Sequence, residues 1–189
     1  MIEDRPVQDP ARRGDWMQTY TGRAFWPLDP RPEEVDPVDV AHALAHLCRY
    51  GGHVRRFYSV AEHCVLMSLA VTPENALAAL LHDATEAYLV DLPRPIKRHM
   101  PGYRDAEAVL WRAVAARFGL PEELPAEVHE ADSRILVNER DALMAPPPRT
   151  WGLEHLEPLP LSRIVGWSPP LAERFYLARL EALTGRTYL

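Results

Sequence analysis

Apolar residues recur along most of the chain at the three- and four-residue spacing that is typical of amphipathic helices. This spacing, together with capping residues, predicts helices over residues 36–49, 59–71, 73–88, 101–118, 125–143 and 168–185. No stretch shows the alternation of apolar and polar residues that marks a half-buried strand. The pattern therefore predicts an all-α fold.

Helix-start signals support this assignment. Asp36-Pro37 places an N-cap residue before a proline at the first helical position. Ser59 and Glu62 have the spacing of a capping box, in which each side chain bonds to the backbone N–H of the other residue. The helix predicted over residues 73–88 is apolar on nearly all sides in its first half, which indicates a central, buried position.

The chain has 189 residues, enough for one domain with a sizeable core. We expect a single domain, 1–189, with its core at 36–144, an irregular N-terminal segment at 1–35, and a C-terminal loop and helix at 145–189 packed on the core. The proline-rich loop 145–168 is long for a compact domain. We expect it to cover a site or to form a subunit contact, and we expect a homo-oligomer.

Composition narrows the class of ligand and the compartment. The net charge of −6 argues against a nucleic-acid polymer as the main ligand, because binding to a phosphate backbone relies on clustered Lys and Arg. A nucleotide in a local basic pocket stays possible. Cys48 and Cys64 form no CxxC motif, which favours buried free thiols in a reducing cytosol. The N-terminus lacks the features of a signal peptide and no apolar run is long enough to span a membrane, so we expect a cytoplasmic protein.

The candidate chemistry centres on His82, Asp83 and Glu86, which stand at the end of the central apolar run. In a helix, these side chains project from neighbouring positions on one surface. Burying them without partners would be unfavourable, and a divalent cation is a suitable partner. Imidazole nitrogen and carboxylate oxygen together suit Zn, Mn, Co, Ni or Fe. The alternative is a structural role, since an isolated His-Asp pair is a weak motif.

Two further residues have alternative interpretations at this point. His63, considered alone, is a core or surface histidine or a ligand. Asp132 falls in the apolar stripe of its predicted helix, where a solvated charge is hard to explain. It is either the ion-pair partner of an arginine such as Arg134 or Arg140, or a metal ligand.

Other residues also have alternative interpretations from the sequence. The segment 93–98 carries the positive charges of Arg94, Lys97 and Arg98. It is either a solvated basic turn or a phosphate contact, through the lysine as a point charge or an arginine as a fork. Trp26 is either a packing residue or an aromatic wall for a base. His42 and His46 are four residues apart, but no acidic residue lies between them as in HExxH, so we interpret them as ordinary surface or packing histidines.

The order His63, His82-Asp83, Asp132 gives the pattern H…HD…D, which resembles the HD-domain metal-dependent phosphohydrolases. The segment 59–63 (SVAEH) is similar to the first-histidine segment of that family. The segments 82–86 (HDATE) and 91–97 (DLPRPIK) resemble the branch that contains bacterial 5′-deoxynucleotidases. The stretch from Tyr20 to Ser59 resembles small phage and bacterial HD hydrolases, some of which remove triphosphate from deoxynucleotides. The resemblance covers about residues 16–144.

The resemblance implies an all-helical HD-domain bundle with one divalent ion at its centre, which would be Mn, Co, Zn, Ni, Fe or Mg. The metal ligands that it implies are His63, His82, Asp83 and Asp132. The catalytic acids that it implies are Glu86, for acid/base work or water positioning, and Asp91, for contact with the nucleophile or the sugar. The candidate substrate contacts are Arg49, Lys97 and His53, with Trp26 as the candidate for the base.

We therefore expect a cytosolic, metal-dependent phosphohydrolase of nucleotides or deoxynucleotides, of the 5′-nucleotidase or triphosphohydrolase type. A metal-containing module that binds nucleotides as a sensor without hydrolysis is a second possibility. Glu86 and Asp91 argue against it, because a pure binder has no need of extra acids beside the metal. A helical domain in which His82 and Asp83 are merely structural is the third.

Overall fold

The chain is mostly helical in the computed structural model, which describes residues 11–161 and 163–188. The helices there are α1 (Pro37–His46), α2 (Val60–Ala70), α3 (Ala76–Leu81), α4 (Glu86–Leu89), α5 (Arg94–Lys97), α6 (Pro101–Phe118), α7 (Ala126–Leu143) and α8 (Pro169–Thr184). Short 3₁₀ turns occur at Pro32–Glu34, Arg49–Gly52 and Pro73–Asn75. The prediction of a helical protein is confirmed. No helix in the described ranges is both long enough and apolar enough to cross a bilayer.

The expectation of no strand is wrong. Strands β1 (Met17–Gln18) and β2 (Ala24–Phe25) pair in antiparallel fashion. A tight turn joins them, with Gly22 at φ 82°, a conformation that glycine adopts without steric cost. Strands of two residues are too short to show an alternating pattern, which explains why the sequence did not indicate them. The first ten residues of the predicted irregular segment lie outside the described residues.

Helix α2 occupies the centre of the protein. Every side chain from Val60 to Ser68 is buried. One part of the core joins α2 to α1, α3 and α8, and a second part joins α2 and α3 to α7. Helix α3 is also almost wholly buried, as its apolar sequence predicted. A helix that is apolar on all sides needs neighbours on all sides, and these two helices have them.

The capping signals are confirmed in part. The Asp36 carboxylate accepts a hydrogen bond from the Val38 N–H at 2.9 Å, and the Ser59 hydroxyl accepts one from the Glu62 N–H at 3.1 Å. The second half of the predicted capping box differs. The Glu62 carboxylate instead accepts hydrogen bonds from three successive backbone N–H groups at 165–167. Glu62 therefore fixes the C-terminal loop against α2.

The first helix ends three residues earlier than predicted. After His46 the chain becomes extended, and it pairs with the strand-like residues that precede α2. Here the Arg49 N–H donates to the Tyr58 carbonyl at 2.9 Å and the Val60 N–H donates to the Leu47 carbonyl at 3.1 Å. This pairing directs the Arg49 side chain into the interior, where it is buried.

The helix predicted over residues 73–88 is split. Helix α3 ends at Leu81, and His82 to Thr85 form a tight turn before α4. The Nδ1 atom of His82 donates to the Ala79 carbonyl at 2.9 Å. In a regular helix the Asp83 N–H would bond to that carbonyl. The bonds that follow span three residues, as in a 3₁₀ helix, so the His82-Asp83 pair sits in a tightened turn.

Two other segments differ from the predictions or extend them. The extended turn predicted at 93–98 contains the single helical turn α5, whose proline lies in its first turn, where it is tolerated. The loop 145–168 lies along α7, where the Asn138 side chain exchanges two hydrogen bonds with the Leu159 backbone. Two residues of the loop itself, Leu159 and Ile164, are buried. Its expected subunit contact stays a prediction.

Candidate metal centre

Four side chains from α2, the turn after α3, and α7 converge on one point. The Nε2 atoms of His63 and His82 lie 3.3 Å apart. The Oδ2 atom of Asp83 lies 3.2 Å from the Nε2 atom of His82 and 3.5 Å from that of His63. The Oδ1 atom of Asp132 lies 3.5 Å from the Nε2 atom of His63 and 4.0 Å from that of His82. The structure thus brings together all four predicted ligands.

Hydrogen bonds at Nδ1 orient both imidazole rings. His63 Nδ1 donates to Glu139 Oε1 at 2.7 Å, and His82 Nδ1 donates to the Ala79 carbonyl. A neutral imidazole that donates through Nδ1 presents an unprotonated Nε2, which is its metal-binding form. Two nitrogen lone pairs and two carboxylates then face one another, an arrangement that a shared divalent cation would stabilise. These residues therefore fit a divalent transition-metal ion.

In the absence of a metal ion, a proton supplies the positive charge. Burial opposes a charged His82, but the Asp83 carboxylate outweighs it and holds the pKa of His82 well above its ordinary value. Burial likewise opposes a charged Asp83, yet the charge on His82 lowers the pKa of Asp83 far below its usual range. The cluster thus attracts positive charge at this position.

Glu139 of α7 is the buried support that the sequence analysis missed. It is fully buried, and its carboxylate orients His63. It also accepts hydrogen bonds from the Tyr58 hydroxyl at 2.9 Å, the Tyr50 hydroxyl, and the Arg49 guanidinium at 3.4 Å. Burial opposes its charge, but Arg49, followed by His63 and Tyr50, lowers the pKa of Glu139 to about 2. Glu139 is therefore ionised and fixes the tautomer of His63.

Arg49, a predicted substrate contact, lies beside the cluster. Its guanidinium reaches Asp83 Oδ2 at 3.3 Å and Glu139 Oε2 at 3.4 Å. Burial disfavours its charge, but Glu139 keeps the pKa of Arg49 well above its usual value. Its Nε–H is buried without a hydrogen-bond partner among the described residues. This buried donor is left without a hydrogen bond, while the other guanidinium nitrogens bind two carboxylates.

The predicted acids Glu86 and Asp91 border the cluster. Glu86 is buried, and burial together with the charges of Asp83 and Asp91 raises its pKa well above the ordinary value. Its Oε2 atom has no hydrogen-bond partner in the part of the chain that the structure describes. Burial also raises the pKa of Asp91, against the lowering effect of Arg49. These carboxyls therefore favour a proton near the proposed ligands.

A strained residue separates the two acids. Val90 has φ 62° and ψ 159°, a combination that is essentially restricted to glycine. The surrounding backbone holds it there, because its N–H donates to the Glu86 carbonyl at 2.9 Å and its carbonyl accepts from the Tyr103 hydroxyl at 2.6 Å. Such strain persists only where the neighbouring structure imposes it, and here it turns the chain between Glu86 and Asp91.

None of the known family models matches the chain. The chain is 33% identical over 170 residues to the uncharacterized protein YfdR of Escherichia coli (strain K12), covering 89% of this chain and 96% of YfdR. The chain belongs to the YfdR family. It is also 39% identical over 126 residues to the uncharacterized protein RCAP_rcc00048 of Rhodobacter capsulatus, covering 61% of this chain and 64% of that relative.

In this YfdR-family protein the second carboxylate oxygen of Asp132 accepts a hydrogen bond from Arg94 at 2.7 Å. The prediction that Asp132 pairs with Arg134 or Arg140 is wrong. Arg134 donates to backbone carbonyls of the C-terminal loop, and Arg140 pairs with its neighbour in sequence. Arg94 is largely exposed, and the Asp132 side chain itself is 27% exposed.

Three other predicted substrate contacts lie outside the cluster. Lys97 pairs with Glu107, although its charge still acts on Glu86. Trp26 packs its ring against the Arg12 guanidinium, 4.2 Å from the ring centre. The side chain of His53 is exposed. Their roles in substrate binding stay predictions.

Cys64 offers an alternative grouping with His82 and Asp83. Its Sγ atom lies 4.0 Å from His82 Nδ1. Burial raises the pKa of Cys64 to about 11, against the lowering effect of His82. The thiolate is the form that binds metals, so this grouping would hold a metal only if the thiol lost its proton.

Proposed function

We propose that this YfdR-family protein is a metal-dependent phosphohydrolase of nucleotides or deoxynucleotides, built as an HD-domain bundle. The convergence of His63, His82, Asp83 and Asp132, with both Nε2 atoms directed to one point, carries the proposal. The nucleotide substrate class rests on the resemblance in sequence.

These four ligands suit catalysis as well as binding. Two neutral imidazoles and two carboxylates would balance the charge of a divalent cation. When bound, such an ion supplies Lewis acidity, lowering the pKa of a coordinated water and polarising a phosphoryl oxygen. Asp132 is the most exposed of the four side chains, so we expect substrate to approach the ion from its side.

Glu86 and Asp91 supply the proton chemistry. A carboxyl whose pKa is raised by burial and by neighbouring acids keeps its proton nearer to neutral pH, which suits a general acid. Either group can instead accept a proton from the attacking water when it is ionised. The Arg49 guanidinium, held beside the cluster by Asp83 and Glu139, would supply positive charge close to a phosphate that approaches the ion.

The first experiment is product analysis on ribo- and deoxynucleoside mono-, di- and triphosphates with Mn²⁺, Co²⁺, Mg²⁺ or chelator. Orthophosphate from monophosphates indicates a 5′-nucleotidase, and tripolyphosphate indicates a triphosphohydrolase. Stepwise orthophosphate from triphosphates indicates a less selective phosphatase. Intact metal and nucleotide binding without any product refutes the hydrolase and favours the sensor.

The variant test uses two aspartates of α7. Asp132→Ala should lose both metal and turnover, because it removes one of four ligands. Asp141→Ala changes an exposed aspartate of the same helix and should keep both. His82→Ala should behave as Asp132→Ala does. A fully active Asp132→Ala protein without metal would overturn the proposal.

A further inference from the structure

A second group of potential ligands lies apart from the central cluster. His42 and His46 are four residues apart on α1 and therefore share one face of that helix. Glu173 faces them from α8, which packs along α1. Each of the three residues offers one ligand atom within 4.8 Å of the others.

Existing contacts orient these side chains. The His46 Nδ1 donates to the His42 carbonyl at 2.8 Å, so a neutral His46 presents an unprotonated Nε2. His42 Nδ1 lies 3.0 Å from Glu173 Oε2. The Tyr20 ring stacks on His42 with ring centres 3.5 Å apart and planes 5° apart. The His42 ring is thus held on two sides.

A simple ion pair between His42 and Glu173 explains only part of this arrangement. It gives no role to His46, whose ring centre lies 4.2 Å from that of His42 although its side chain is exposed. One shared cation can bind both imidazoles. Two histidines and one glutamate also form a ligand set that zinc uses, with further positions left for water.

We propose that His42, His46 and Glu173 form a second metal site, which binds a borderline transition-metal cation such as Zn²⁺ and links α1 to α8. The two imidazoles favour this class over Mg²⁺ or Ca²⁺, which prefer oxygen ligands. Zn–N bonds of about 2 Å require ligand atoms closer together than 4.8 Å, so small side-chain rotations complete the site. His42 and Glu173 are already close enough.

The test is the zinc stoichiometry of the full chain, measured by equilibrium dialysis and elemental analysis. Wild type should bind two ions per chain if the central cluster is also occupied. His46→Gln and Glu173→Gln should each bind one fewer, and the exposed control His155→Gln should match wild type. His46 is exposed, so its substitution leaves the core intact. Stoichiometry and affinity unchanged in both His46→Gln and Glu173→Gln would overturn the proposal.

The same series separates this site from the proposed active site. His82→Ala should lose the central ion alone, and His46→Gln should lose the second ion alone. Zinc should also raise the Tm of the His82→Ala protein, since an ion that binds only the folded state stabilises it. Adding His46→Gln should abolish that rise. If the central cluster binds no zinc, wild type should still bind one ion that His46→Gln removes and His82→Ala does not.

Discussion

Replacing Glu139 by Gln tests the buried support of the metal centre. The substitution keeps the shape of the side chain, but it removes the charge and turns one acceptor oxygen into an NH₂ donor. The site of that group is surrounded by donors from Arg49, Tyr50, Tyr58 and His63. The Gln side chain would leave the buried guanidinium with a weaker partner, so we expect a substantial loss of folding free energy.

The magnitude follows from two independent arguments. A shift of the pKa of Glu139 from 4.5 to about 2 corresponds to about 3 kcal/mol of preferential stabilisation of the ionised form. Removing one partner of a buried ion pair typically costs about 3–5 kcal/mol. We therefore expect Glu139→Gln to lower the free energy of unfolding by about 3 kcal/mol near pH 6.5.

The pH dependence has a definite sign. Because the folded-state pKa is depressed, the stabilisation is fully present above about pH 4.5 and is lost as the pH falls towards 2. The free energy of unfolding of wild type should therefore approach that of Glu139→Gln in acid. The difference between the two free energies should decrease by about 1 kcal/mol between pH 6.5 and pH 3.5.

Urea unfolding at these two pH values, in chelator, measures both effects. The control is Glu130→Gln, a largely exposed glutamate on the same helix, whose unfolding free energy should change by less than about 0.5 kcal/mol. A Glu139→Gln protein within about 1 kcal/mol of wild type at both pH values would refute the assignment of an ionised, buried support.

Three further predictions concern other parts of the fold. Glu62→Gln should destabilise the protein by about 2 kcal/mol and expose the C-terminal loop to proteolysis, while the exposed Glu74→Gln should not; equal proteolysis rates would contradict this. Gly166→Ala should cost at least about 2 kcal/mol in urea unfolding, because its Cβ would lie 2.6 Å from a backbone oxygen. Gly152→Ala, also at positive φ but in open space, should cost only about 1 kcal/mol, and equal losses would exclude the clash. Cys64 should react with a thiol reagent at pH 8 only as fast as the protein opens, because burial raises its pKa to about 11; reaction at the rate of a free thiol would contradict this.

Local signals predicted much of the fold. The start of α1 follows from Asp36-Pro37, and the bounds of α6 match the predicted 101–118 because a proline and a glycine flank it. Apolar spacing likewise located α7 and α8 to within a residue or two. Residues close together in the sequence determine these helix bounds, so local sequence patterns are enough to predict them.

Features that depend on contacts between distant or specific side chains were missed. The break at His82 arises from one bond to the Ala79 carbonyl, which residue spacing cannot reveal. Glu139 could have been found, because it lies seven residues after Asp132 and three after Leu136, on the same inward face of α7. Glu139, like Asp132, is a charged residue in an apolar stripe, and such a residue needs a polar or charged partner.

Asp132 and Glu139, both on α7, lie at the two different nitrogens of the His63 imidazole. Two helical turns separate them, so one approaches Nε2 of His63 and the other binds Nδ1. The Arg49 guanidinium is shared between Glu139 and Asp83, and Arg94 pairs with the outer oxygen of Asp132, so the Oδ1 atom of Asp132 still faces the imidazoles. The Asp83 carboxylate raises the pKa of His82 against the opposing effect of burial, so a metal ion bound at Nε2 of His82 would displace a proton from that nitrogen, and metal binding should release protons.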